Sequence, residues 1–288
     1  MDALWLPFAE FGFMQRALVA TLALGLISGP VGVLLVMRRM SLAGDAISHA
    51  VLPGAAVGYL IAGMSLPALG LGAFVSALLV ALLASLVSNM TTQREDASLA
   101  AFYLMALAAG VMLVSLNGSN VDLMHLLFGS ILAVDSVALV VVAGSVSVAL
   151  ILLAFIWRLL LVSSFDPLFL VQFGRSGKFA NQLFMLIVVL AFVACFQTLG
   201  TLMAVGLLML PAVAARFWAR DIPRACLLAS LFAMVSGFVG LLLSYHFSLP
   251  SGPAIVLTAG AIYLSSLLLG TRDGLLAHWL PAARHKAS

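Results

Sequence analysis

Nine apolar runs separated by short polar connections set narrow limits on what this chain can fold into. Eight are long enough to cross a bilayer, at about 13 to 36, 42 to 63, 67 to 89, 97 to 116, 131 to 160, 180 to 199, 225 to 246 and 253 to 270. The ninth, at about 201 to 217, is short. A hydrocarbon core about 30 Å thick takes roughly 20 helical residues to cross, and inside it the backbone polar groups have to be paired within the segment. Runs of this length therefore predict helices. Only 8% of the 288 residues are charged, against about a quarter in a soluble domain, so a water-facing exterior cannot be assembled from them. The expected fold is all-α, a polytopic membrane protein with 8-9 transmembrane helices in a single transmembrane domain over 1-288.

The few charges carry topological information. Arg38 and Arg39 follow the first run, Arg94 the third, and Arg158, Arg175 and Lys178 the fifth. Arg216, Arg220 and Arg224 follow the short run, and Arg272, Arg284 and Lys286 the last. If all nine runs cross, every basic residue except Arg16 falls on one face, which the excess of Lys and Arg in inner loops makes cytoplasmic. The N-terminus is then outside, and the C-terminus, with a short basic tail at 271-288, is inside. The net charge of +3 is too dispersed for a nucleic-acid surface. Cys195 and Cys226 lie in or beside apolar runs without CxxC spacing, so neither a disulfide framework nor a thiolate metal site is indicated. The acidic N-terminal stretch lacks the basic region of a secretory signal, so the first run is expected to stay in the mature protein.

Against this apolar background the pair Asp45 and His49 is conspicuous. Residues four apart share a helical face, so a carboxylate oxygen and an imidazole nitrogen can reach one divalent cation together. Ionisable groups at bilayer depth are costly and by default functional. The plainer alternative is a capped helix end, because Arg39 lies only about 9 Å of helix before Asp45. His246, in the connection before the last run, is a further candidate metal contact. His125, beside Leu126, Leu127 and Phe128, reads as interfacial packing within a short outer helix, and His278 and His285 belong to the tail.

The longest inner connection, about 163-180, contains SFDPLFLVQFG. Asp166 reads as a cap with Pro167 in the first turn, followed by apolar Phe169, Leu170 and Phe173 up to Gly174. A short amphipathic helix on this face rests on lipid headgroups or docks a soluble partner. The nearby Gly177-Lys178 is no phosphate loop, because Gln172 and Phe179 occupy the positions that such a loop gives to Gly and Ser or Thr.

GDAISHAVLPG after a double arginine, LFGSIL at 127 to 132, SFDP at 164 to 167, LGTLMAVGLLMLPAVAAR at 199 to 216 and LPSGPAIVL at 249 to 257 occur in order over about 25 to 270. Together they resemble the membrane permease of the zinc/manganese/iron ABC importer family. The resemblance implies a fold similar to vitamin B12 and iron-siderophore importer permeases, in the bacterial cytoplasmic (inner) membrane. It also implies a second copy of the chain, two ATP-binding cassette subunits inside and a metal-delivering solute-binding protein outside. No cofactor is implied: the metal is cargo, with zinc expected if His246 adds an imidazole, and manganese or iron as alternatives. The family's metal site falls on Asp45 and His49. Its ATPase-coupling segment falls on Ser164 to Gly174, including Asp166, Pro167, Phe169, Phe173 and Gly174. The chain departs from the family in the apolar Leu168 to Val171 after SFDP and in His246. The permease itself would perform no covalent chemistry. An intramembrane metalloprotease would need HExxH, which is absent. An ion-coupled secondary carrier or channel would show further acids in its spans, and besides Asp45 only Asp135, near a span end, qualifies.

Overall fold

The computed structural model describes residues 7–63, 65–116, 131–165, 176–272 and 274–276. Outside the described residues lie the segment with His125, the coupling candidates Asp166, Pro167, Phe169, Phe173 and Gly174, and the tail histidines. Nine helices of 16 residues or more follow one another: α1 (Gly12–Met37), α2 (Ser41–Ala62), α3 (Leu66–Met90), α4 (Glu95–Leu116), α5 (Ser136–Phe165), α6 (Ser176–Leu199), α7 (Thr201–Arg216), α8 (Ile222–Phe247) and α9 (Ser251–Leu269). No strand occurs among the described residues. Eight helices have the length and apolarity to cross a membrane, and α7 is the shorter one.

Side-chain size is sorted in the opposite sense to a soluble core. The buried positions are rich in alanine, among them Ala17, Ala20, Ala43, Ala50, Ala77, Ala84 and Ala229, while Ile61, Phe155, Val140 and Leu257 stand on the outside. In lipid there is no hydrophobic gain from hiding a leucine, so helices associate by close backbone approach over small residues. The α2–α3 contact is built this way. Gly54 and Gly72 face each other so closely that a Cβ on either would collide with the other's carbonyl oxygen, and Gly58 lies against the Ala68 carbonyl in the same manner. α6 packs against both of these helices and α1 against α8 and α7; α1 and α6 are the most enclosed of the eight long spans, with Phe184, Met185 and Phe192 of α6 fully or almost fully buried.

The helix ends follow local rules. The α1–α2 turn closes with Met40 N–H donating to Leu35 O at 2.9 Å, the six-to-one bond of a Schellman motif. Arg39 occupies its left-handed position with φ 58, where glycine is usual, at a cost of about 1 kcal/mol. Gly200, φ 80, supplies the left-handed residue between α6 and α7 without that cost. The fifth run was expected from 131, but the helix starts at Ser136, after a single 3-10 turn at Ile131–Ala133. Asp135 sets that start, its Oδ1 accepting from Ala138 N–H at 2.7 Å, so the second acid near a span is an N-cap.

Chain direction places the basic residues together. Arg38 at the end of α1 donates from Nη2 to Ser163 Oγ near the end of α5 (2.6 Å) and from Nη1 to Asn181 Oδ1 near the start of α6 (2.9 Å). Arg272, after α9, donates its N–H to Phe217 O, just past α7, at 3.0 Å. Arg16 is in the other half of α1, where its Nε donates to Val134 O at 3.1 Å.

Candidate metal site

The site begins with the α1–α2 turn. α2 starts at Ser41, and its N-cap, Met40, makes no side-chain capping bond. Asp45 lies inside the helix, so the capping alternative is removed. One turn on, His49 Nε2 stands 3.5 Å from Asp45 Oδ1. That is too long for a strong hydrogen bond. It is close to the separation, roughly 3.0–3.4 Å, of two ligands each about 2.1 Å from one divalent ion at right-angled to tetrahedral geometry. Among the described residues His49 Nδ1 is buried without a hydrogen-bond partner, so neither ring nitrogen is committed to a protein group. The Tyr103 ring of α4 lies parallel to the imidazole, centroids 6.0 Å apart and planes at 22°, and limits its rotation.

Depth follows from the neighbours. Gly44 packs against the Phe192 ring and the Met209 methyl, two thirds of the way along α6 and halfway along α7. The turn carrying Asp45 and His49 is therefore packed inside the bundle, about one helical turn in from the basic end of α2. At this level the Asp45 side chain is 51% exposed on a single copy of the chain and that of His49 24%. Pro53 continues the same face. Having no N–H, it leaves the His49 carbonyl without its helical donor, and Gly110 of α4 rests directly on it. The neighbouring Ala50 carbonyl accepts from Ser76 Oγ at 2.8 Å.

The structure brings Asp45 and His49 together and keeps His246 apart. His246 is exposed in the last turn of α8, edge-on to Tyr245 with centroids 5.4 Å apart. Among the described residues no group of three His, Cys, Asp or Glu side chains could hold a metal ion. The described residues of one chain thus offer two candidate ligands at this point. Sequence reasoning missed Tyr103, which packs on the site from another helix, and the partners of Arg38, which lie far along the chain.

The ABC 3 transport family model matches residues 10–270. The chain belongs to that family. Among curated relatives, the manganese transport system membrane protein MntC of Listeria innocua is 36% identical over 93% of this chain and 94% of its own length. The manganese import system permease protein ScaB of Streptococcus gordonii is 33% identical over 92% and 94%. The solved structure of PsaBC from Streptococcus pneumoniae in complex with Fab superimposes with a TM-score of 0.83 at 32% identity, covering 97% of this chain and 100% of that one. An inward-facing transporter of metal-chelate ABC type reaches 0.71 at 14% identity over 91% and 87%, a likeness of fold alone. As a member of this family the protein is the multi-pass permease component of a metal ABC importer, a transport subunit with no catalytic centre of its own.

Proposed function

We propose that this permease imports manganese(II), with Asp45 and His49 as the ligands that pass the ion across the membrane. The Asp45–His49 pair, with a half-exposed carboxylate among apolar helices, carries this reading. A carboxylate that a single copy would turn toward lipid is expensive, and two ligands are too few to replace a hydration shell. A second copy presenting the same pair across a two-fold axis answers both problems, giving up to four mixed oxygen and nitrogen ligands. The expectation of zinc rested on an extra imidazole from His246, which does not join the pair. One carboxylate and one imidazole per copy are compatible with manganese as with zinc, and manganese is the metal that the names of the MntC and ScaB relatives give.

In this reading two ATPase subunits dock at the basic, cytoplasmic end, and a solute-binding protein delivers metal outside. ATP-driven closure moves the segment at Ser164 to Gly174 and tilts the helices, exposing the site to each side in turn. The chain's own residues only bind, orient and release. The test pairs Asp45→Ala and His49→Ala in the assembled transporter. Both should lose uptake of radiolabelled manganese while dimers still form. Normal uptake in both variants would exclude the site, and uptake without any ATPase would favour an ion-coupled carrier.

A further inference from the structure

At the basic end of the bundle, the connection after α7 and the end of α9 are held together. Arg272 N–H donates to Phe217 O at 3.0 Å, and Gly270 packs on Phe217. Between them and the first turns of α8 opens a cavity of about 350 Å³ lined by Trp218, Arg220, Arg224, Leu228, Thr271 and Arg272. Three arginines, two from the start of α8 and its approach and one from after α9, line it. Arg224 has Asp221 at 3.6 Å, with both side chains mostly exposed to screening solvent. Arg220 and Arg272 have no carboxylate within 4.0 Å among the described residues. Asp221, the N-cap of α8, makes no side-chain capping bond, and with Pro223 lacking an N–H and Ala225 N–H given to Asp221 O, the helix start adds at most the Ile222 and Arg224 amides beside the arginines. On the same two helices Leu227 and Leu231 of α8 and Leu264 and Leu268 of α9 are exposed, and Trp218, 39% exposed, has the amphipathic form that favours headgroup depth.

We propose that this cavity binds the phosphate of an anionic phospholipid, with the guanidiniums on the phosphodiester and the acyl chains along the leucines of α8 and α9. Guanidiniums match phosphate oxygens in pairs, and basic pockets between membrane helices on the inner side take anionic headgroups. The exposed leucines on the two helices beside the cavity favour a lipid over free phosphate, which would gain nothing from them. The site is separate from the metal pair and stands whether or not manganese proves to be the cargo.

The experiment measures lipids retained by the intact permease in native mass spectrometry after release from nanodiscs of mixed phosphatidylglycerol and phosphatidylcholine. Wild type should retain phosphatidylglycerol selectively. Arg220→Gln with Arg272→Gln should lower retention at least tenfold, because each basic residue contributes about fivefold at a membrane surface. Arg220→Lys with Arg272→Lys, which keeps charge without the bidentate fork, should fall between, and the thermal midpoints of all three proteins should agree. Undiminished retention in the glutamine variant overturns the site. Displacement of the lipid by millimolar inorganic phosphate reassigns it to the free anion and overturns the lipid reading. Loss of ATPase association with lipid retention intact makes it a protein contact and also overturns the proposal.

Discussion

Arg38→Met tests whether the basic end is fastened as the geometry indicates. The guanidinium donates to Asn181 Oδ1 and Ser163 Oγ at 2.9 and 2.6 Å, and its central carbon lies 4.5 Å from the centroid of the Phe184 ring. Each hydrogen bond from a charged donor is worth about 1.5–3 kcal/mol, and a cation over an aromatic face about 0.5–2 kcal/mol. The bonds are only partly buried, so the low end of each range applies. Methionine also recovers the packing of the aliphatic stem, which leaves an expected loss of about 2–3 kcal/mol. The assay is thermal or denaturant unfolding of the detergent-solubilised permease, run as a double-mutant cycle with Asn181→Ala. A direct bond predicts a coupling energy of about 1 kcal/mol, because Asn181→Ala should cost less once Arg38 is gone. Additivity within about 0.3 kcal/mol, the behaviour of independent sites, would refute the argument even if each single variant were destabilised.

The α2–α3 packing gives a paired prediction. Gly54→Leu drives a side chain into the backbone of Gly72 and should cost about 3 kcal/mol, the upper part of the overpacking range. Gly144→Ala in α5, where a Cβ meets nothing within 4 Å, should instead gain about 0.5–1 kcal/mol in helix propensity. Both are read as shifts in unfolding midpoint, and equal effects would show that helix propensity, not contact, governs both sites. Orientation is tested by cysteine labelling on a background lacking Cys195 and Cys226. Arg94→Cys and Arg220→Cys should react only with reagent on the cytoplasmic side, and Ser248→Cys only from outside. Outside labelling at Arg220 would reverse the topology.

What the sequence made legible follows from how strongly the physics binds it. The runs became helices because a bilayer leaves the backbone no other local solution, and Asp45 and His49 met because a spacing of four guarantees a shared face. The start of α5 was misread by about five residues, since Ile131–Val134 is as apolar as the helix it precedes. The correcting signal was Asp135-Ser136 ahead of a long run, a helix-start pattern that apolarity outweighed. Contacts between distant positions left no periodic trace. Nothing in residues 96 to 116 singles out Tyr103 as the ring beside His49, and Arg38 looks like any topogenic arginine until Ser163 and Asn181 are brought beneath it. The zinc expectation leaned on a contact of the same kind. It needed His246 to approach α2, and only tertiary structure decides that α8 ends elsewhere.

The position of Arg38 also bears on how motion reaches the ion. Ser163 and Asn181, hydrogen-bond partners of Arg38 among the described residues, flank the segment that the family resemblance assigns to ATPase coupling, one before it and one after. On the other side of Arg38 only the tight turn through Arg39 and the first residues of α2 separate it from Asp45. That turn is internally bonded, with Arg38, Arg39 and Met40 N–H groups all donating back into α1, so it has little slack to absorb a displacement. In the proposed mechanism a shift of the α5 and α6 ends is passed to α1 and to the start of α2 as one body, and the carboxylate moves with it. Arg38→Met cuts that path without touching either ligand, so manganese binding measured on the solubilised permease should persist while uptake driven by ATP falls several-fold. Loss of binding together with uptake would mean that Arg38 holds the site's shape, and unchanged uptake would mean that the motion travels by another route.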